Sequence, residues 1–394
     1  MFKSLQMKYN ILHILFWISY LSIYGYIAIF LQYKGLTNAE IGVVSGAGAL
    51  LSMFVSPFIS SLISKINGLS IKKMMLILYF IMLVLFVSLV FFDLPIWLIM
   101  MMYVALLCLA VSNVPFLSMI CMDYLKAGKY VNFGLSRGMG SVAYAVGAVV
   151  VSQMISWINP TVIVYVYIIF SLLLLYVLFS MPDTPVSQVP EAKKVSVFTI
   201  IKNYRTFFLM LLSFAFVYSA SNTISTYLIN IIENLGGNTS IYGIAIFFMA
   251  ASEMPFMAIT HNLLKKYKAE TLLLAAIFFY LVRNFTICFA PNIVIVLIGM
   301  MFQGISFGIF TATIAYYVND YLKVEDQMMG QTMIAMMSSG LGAAIGNIVG
   351  GFLQDYFGIE SMFVFIGVMT VIGFVIMVLT VKDKIGKKEK AFID

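Results

Sequence analysis

Apolar runs of about 20 residues recur along this chain, each closed off by charges, Pro, Gly or Asn, and a helix of that length crosses the ~30 Å hydrocarbon layer of a bilayer. A water-soluble fold has too little interior to hide so many of them. Of 394 residues, 62% are hydrophobic and 10% charged, against roughly a quarter charged in a soluble domain, which must cover itself with polar groups. A polytopic membrane protein follows. The three cysteines, Cys108, Cys121 and Cys288, have no CxxC spacing and fall in or at the ends of apolar runs. They read as packing residues, so no metal site and no cofactor is expected. The net charge of +7 is spread along the whole chain, which argues against a nucleic-acid partner.

Cutting at the polar clusters predicts twelve transmembrane helices, at 10–31, 39–63, 74–92, 96–122, 132–157, 161–180, 206–232, 240–263, 271–290, 292–319, 328–354 and 361–381. The basic residues test the count. Of 23 Lys and Arg, Lys34 alone falls in a loop on one side, Arg137 and Arg283 fall inside spans, and the rest fall on the other side or in the two termini. Cytoplasmic loops carry the positive charge, so both termini are expected in the cytoplasm, with the protein in the cell (plasma) membrane. The first span has no small-residue cleavage site and reads as an uncleaved helix.

The longest polar break, with three prolines, lies after the sixth span and suggests a connector between two six-helix units. Asp123-Tyr124-Leu125-Lys126 recurs as Asp320-Tyr321-Leu322-Lys323, Pro57-Phe58 as Pro255-Phe256, and Gly134 as Gly330. Nearly equal offsets that respect span number and side indicate duplicated halves in the same orientation. The expected domains are 1–181, a cytoplasmic connector 182–203, a second half 204–382, and a basic tail 383–394. Gly342, Gly346 and Gly350 stripe the eleventh span; such spacing suits either static close packing or helices that slide as two halves rock.

A charge at a helix centre costs ~2.5–3.5 kcal/mol on insertion scales and is usually functional and paired. Glu253 lies ~16 Å into the eighth span and Arg283 ~20 Å into the ninth from the same face. Either a self-neutralising structural pair or a protonatable carboxylate working against an arginine would explain them. Asp123 and Arg137 close the fourth and enter the fifth spans on one side, where they can meet. His13 reads as a neutral imidazole facing other helices. The seventh span is polar from Tyr218 through Asn222 to Thr226, the tenth carries Gln303, and the first carries Ser19, Tyr20, Ser22, Tyr24 and Tyr26. Hydroxyls, amides and rings suit an uncharged organic solute, and interhelical hydrogen bonds would account for many of them equally well.

Phe30-Leu31-Gln32-Tyr33-Lys34-Gly35-Leu36 with Glu40-Ile41-Gly42, Phe133-Gly134 through Arg137 to Gly140-Ser141, and Gln331 through Gly340, Gly342, Gly346 and Gly351 to Phe352 resemble the major facilitator superfamily, in its lactose permease, phenylpropionate permease and nucleoside symporter branch. The loop 2/3 motif of that superfamily is degraded here to Ser64-Lys65-Ile66-Asn67-Gly68 with Lys72-Lys73. The resemblance implies an all-α fold of two pseudo-symmetric six-helix halves. It also implies substrate contacts from Arg137, Asp123 and, as a ring-stacking residue, Tyr144. The helix 8 carboxylate and helix 9 arginine of the branch are matched by Glu253 and Arg283. The helix 10 His and Glu used in proton coupling are replaced by Gln303 and Ser306, which leaves Glu253 as the deep carboxylate available for that role.

These observations lead to a secondary transporter of a small organic solute of the sugar, nucleoside or aromatic acid class. It would run as a proton-coupled symporter by alternating access, working as a monomer in the lipid bilayer. Substrate binding is assigned to Arg137, Tyr144, Asp123, Asn222 and Gln303, and proton coupling to Glu253 and Arg283. A drug or metabolite efflux permease and a non-transporting receptor on the same fold are the alternatives. Clustered catalytic groups, a nucleophile elbow and a phosphate loop are all missing from the sequence, so no enzymatic activity is expected.

Overall fold

The computed structural model describes residues 4–66, 68–183 and 196–390, with the side chains of 64 and 383–390 outside the description. Among these residues every regular element is helical. The order is α1 (Leu5–Tyr20), a π-helical turn (Leu21–Gly25), α2 (Ile27–Tyr33), α3 (Asn38–Lys65), α4 (Ile71–Phe91), α5 (Ile96–Lys126), α6 (Phe133–Trp157) and α7 (Val162–Ser180). There follow α8 (Val197–Asn203), α9 (Arg205–Thr226), α10 (Leu228–Asn234), α11 (Thr239–Leu264), α12 (Ala269–Cys288) and α13 (Ile293–Met301). After a second π turn (Gly304–Gly308) come α14 (Ile309–Tyr321), α15 (Val324–Ala335), a third π turn (Met336–Gly342), α16 (Ala343–Phe357) and α17 (Ile359–Lys390).

Eleven helical stretches are long and apolar enough to span a bilayer, and the bent pair Leu5–Gly25 and Ile27–Tyr33 brings the number to twelve. The expected first span is thus present but broken, by 54°. The connector is partly helical, since α8 (Val197–Asn203) falls within it; its residues 184–195 lie outside the described residues. The last helix continues past residue 382, where a separate tail was expected, to Lys390. Local chemistry sets the ends. Thr37 and Glu40 form a reciprocal capping box at α3, and Ser70, Asn132 and Asn292 cap α4, α6 and α13 by accepting from backbone N–H groups that have no helical partner. Gly35 holds φ of 88° in the turn after α2, a conformation that a side chain disfavours.

The chain divides into two compact units, one of residues 4–183 with 238–247 and one of 196–237 with 248–390. The core of the first is built by Tyr9, Phe16, Tyr79, Phe116 and Tyr124, with Phe30, Phe86, Tyr103 and Tyr167 meeting edge to face and stacked beside it. In the second unit the core runs along Phe207, Phe214, Tyr280, Phe310 and Tyr317.

The carboxyl end of α7 exposes carbonyls and the negative end of the helix dipole, and three side chains meet it. Lys8 donates to Ser180 O at 2.5 Å, Lys72 to Met181 O at 2.6 Å, and Tyr124 to Pro182 O at 2.7 Å. Lys72 also pairs with Asp183 at 2.9 Å, and that ammonium holds the Asp183 carboxyl below its ordinary 3.8. A depressed carboxylate contributes stability that is complete above the ordinary value and is lost as pH falls through the lower folded one. Asp183→Asn should therefore flatten the acid limb of a melting-temperature profile measured between pH 2 and 5. Lys72→Ala should lower the melting temperature at pH 7 by more than Asp183→Asn does, because it also strips the cap from Met181. Equal melting temperatures for the two variants would contradict this account.

Packing decides between the two roles open to the glycine stripe. A Cβ on Gly342 would lie 3.0 Å from Ala215 O, one on Gly346 2.1 Å from Ser219 O, and one on Gly350 2.4 Å from Thr223 Cγ2. The stripe is a seam against α9 inside the second unit. Much of the polar run of α9 serves the same seam. Thr223 donates to Gly346 O, Tyr227 to Asn347 O, and Thr226 to Asn347 Oδ1.

Candidate functional site

In the first unit α6 enters the apolar layer with Arg137. Its guanidinium carbon lies 4.0 Å from the centroid of the Trp17 ring on α1, and Nη1 donates to Ser141 Oγ one turn on at 2.5 Å. A cation over an indole face is stabilised by the ring quadrupole, which holds the charge at a depth where an unaccompanied guanidinium would be costly. Tyr144, two turns along α6, meets the same indole edge to face at 6.3 Å. Arg137 and Tyr144 are thus brought together through Trp17, a residue that sequence reasoning missed although Trp17 and Tyr20 stand at i, i+3 on the first span. Gly140 makes the approach possible, since a Cβ there would fall 2.3 Å from Trp17 Cδ1. Asp123 is buried at the end of α5.

Of the polar residues expected on the first span, Ser19, Ser22 and Tyr26 are buried inside the unit. The serines donate to backbone one turn back, and Tyr26 donates to Ala148 O and contacts Ser152 Oγ. Tyr20 and Tyr24 stay at the surface of the unit. His13 is fully enclosed, edge-on to the rings of Tyr9 and Phe133, as expected of a packed neutral imidazole.

In the second unit Glu253 on α11 accepts from Gln303 Nε2 at 3.4 Å. The preceding residue makes a second tie, Gly304 N donating to Ser252 Oγ at 3.0 Å. Gly304 opens the π turn and lies against the Ser252 carbonyl, where a Cβ would fall 2.1 Å away. Gln303 and Glu253 were both legible in the sequence; Ser252, the adjacent serine that pins the π turn, was not.

Arg283 departs from the pairing that its depth suggested. It is 0% exposed, and its partners are neutral: Ser221 Oγ at 2.8 Å, Asn284 Oδ1 at 3.1 Å and Met300 Sδ at 3.9 Å. The charge of Glu253 acts on it, with no direct ion pair between the two among the described residues. Similar depth on two helices does not bring two side chains into contact, because rotation about each axis turns Arg283 toward α9 and α13. Asn222, next to Ser221, is 8% exposed and its amide donates back to Tyr218 O at 3.0 Å. The described residues hold no cluster of His, Cys, Asp and Glu fit for a metal ion.

The described residues form a multi-pass helical bundle in which Arg137 and Arg283 meet aromatic, hydroxyl and amide partners. The chain belongs to the MFS_1 like family, whose sequence profile covers residues 6–365, and so to the major facilitator transporters rather than to any enzyme class. It is 25% identical over 251 residues to a maltose permease of Geobacillus stearothermophilus, and 24% identical over 249 residues to the uncharacterized transporter YwbF of Bacillus subtilis (strain 168). The matched stretches cover 64% and 62% of this chain and 64% and 61% of those proteins, less than two thirds of their length. The fold is that of the nucleoside transporter NupG, a point mutant of which superposes with TM-score 0.82 at 16% identity, covering 96% of this chain and 100% of that one. A D-xylose-proton symporter superposes with TM-score 0.67 at 14% identity over 94% and 96% of the two chains.

Proposed function

We propose that this protein is a proton-coupled symporter that carries a small, uncharged, ring-containing solute of the sugar or nucleoside class across the plasma membrane, with both termini in the cytoplasm. The observation that carries the coupling reading is the contact of Glu253 with Gln303 at 3.4 Å beside the π turn. Among the residues assigned to the site, Glu253 is the one in the second unit that can gain and lose a proton, and it rests on the element of the tenth span with a non-α hydrogen-bond pattern. π turns recur at functional positions because a helix can change register there. Arg137 on Trp17, with Tyr144 and Asp123, supplies the substrate contacts of the first unit, and Asn222 and Gln303 supply those of the second. The maltose permease relative and the NupG and xylose symporter folds support a neutral ring-shaped solute. The scarcity of charge in both sites favours such a solute over an aromatic acid. The rocking of the two halves, duplicated in sequence, would carry the exchange of access.

Purified protein in liposomes should take up a radiolabelled member of a maltose, uridine and phenylpropionate panel. Imposing an acid-outside gradient should raise the initial rate at least severalfold for one of the first two. Uptake of none of the three, or a rate indifferent to the gradient, would refute the reading.

A further inference from the structure

Three rings at intervals of four residues run up the first span: Phe16, Tyr20 and Tyr24. Residues at i and i+4 lie one above the other on a helix, and here the rings form a column. Phe16 and Tyr20 stack at 6.1 Å between centroids with 17° between planes, and Tyr20 and Tyr24 at 5.3 Å and 18°. In a regular α-helix an i+4 series drifts steadily round the axis. The π turn over Leu21–Gly25 carries Tyr24, and the stacking continues across it. Exposure grades along the column, from 1% at Phe16 to 40% at Tyr24. The foot is fixed in the core against Tyr79 at 6.1 Å, and the tip reaches the surface of the unit.

That surface also carries a charge. Trp17 touches Tyr20 edge to face at 5.4 Å and carries the Arg137 guanidinium on its ring. Arg137 and the tip of the column therefore share one side of the unit. A guanidinium facing lipid costs ~2.5–3.5 kcal/mol at a helix centre and less near an end, where Arg137 enters α6, and helices meet such a cost by facing polar groups toward a water-filled path. Tyr144, where the family resemblance places the stacking ring, is edge-on to Trp17 instead, at 77°. The stacked rings on this side belong to α1.

We propose that Tyr24, held in place by Tyr20 beneath it, is the stacking platform for the substrate and determines specificity, and that the ligand is a ring that presents a C–H or π face: a pyranose or a nucleobase. This rests on the transport reading above and assigns the ring-recognising surface within it. Stacking of a ring on an aromatic side chain tolerates many ring types but not their absence, so an acyclic polyol such as sorbitol should bind poorly.

The test uses Trp17 as a reporter in the full-length protein carrying Trp97→Phe and Trp157→Phe, which leaves Trp17 as the one tryptophan. 4-Nitrophenyl maltoside and 4-thiouridine are titrated separately, each bearing a chromophore that accepts tryptophan emission. At least one should quench saturably. Tyr24→Phe should keep the half-saturating concentration within about threefold, and Tyr24→Leu should raise it about tenfold, equivalent to ~1.4 kcal/mol. The probe that responds tells sugar from nucleobase. In liposomes Tyr24→Leu should raise KM for maltose or uridine by a similar factor with kcat little changed, and its melting temperature should stay near that of Tyr24→Phe. Unchanged quenching or unchanged KM in Tyr24→Leu overturns the platform and leaves transport standing, and so does the lack of saturable quenching by either probe in a protein that transports. Quenching lost in Tyr24→Leu from a protein that carries neither solute supports the platform and refutes the transport reading instead.

Discussion

Glu253→Gln should abolish uphill accumulation: under an imposed proton gradient the internal-to-external ratio of substrate in proteoliposomes falls to about one, while exchange of labelled for unlabelled substrate persists. The substitution is close to isosteric, and its amide oxygen can still accept from Gln303, whose Nε2 reaches Glu253 at 3.4 Å. The helix contact is therefore kept and the change of charge removed. Arg283 is no substitute, because its guanidinium is enclosed by Ser221, Asn284 and Met300 and it offers no carboxylate to Gln303. Exchange needs substrate binding and rocking but no net proton movement, so the two activities should separate. Full accumulation by the variant would eliminate Glu253 as the coupling carboxylate.

The second large effect is on assembly. Gly346→Leu should leave little or no monodisperse protein after detergent extraction. The Cβ alone would fall 2.1 Å from Ser219 O, a backbone atom that cannot swing aside. Overpacking ordinarily costs ~1–3 kcal/mol, and parting α9 from α16 would in addition break the Thr223 bond to Gly346 O at 2.8 Å. Gly367→Ala is the control. There the nearest atom to an added Cβ is Phe285 Cζ at 3.8 Å, an ordinary contact, and replacing Gly by Ala inside a helix gains roughly 0.5–1 kcal/mol in propensity. The pair should differ in size-exclusion profile, with the control at wild-type yield and a slightly higher melting temperature. A folded Gly346→Leu protein would show that the seam is looser than its geometry.

Helix number was legible because a bilayer demands a fixed length of apolar chain, and the repeats Pro57/Pro255 and Asp123/Asp320 stand at matching places in the helices. Depth was legible for the same reason, residue by residue. Rotation was not. In a span apolar all round, hydrophobic periodicity carries no phase, so Arg283 and Glu253 could be placed at one level but not turned toward or away from each other. The π turns were hidden too, since Leu21–Gly25 and Gly304–Gly308 contain nothing that a regular helix would refuse. The polar stretch of α9 suited a solute-lining surface and interhelical hydrogen bonds equally well. The glycines of α16 sit across from it, and at that separation its hydroxyls turn to backbone carbonyls.

The lysines at the end of α7 also set an order of events in synthesis. Lys8 waits for a carbonyl 172 residues further along the chain, and Lys72 for one 109 residues away. At ~5–20 residues per second Ser180 leaves the ribosome roughly ten to thirty seconds after Lys8. Through that interval both ammonium groups must stay in water at the membrane edge, where they keep the early helices from sliding through the bilayer. The arrival of α7 then converts them from hydrated anchors into a latch. α7 thus latches the helices of residues 4–183 together before most of the second unit has been made.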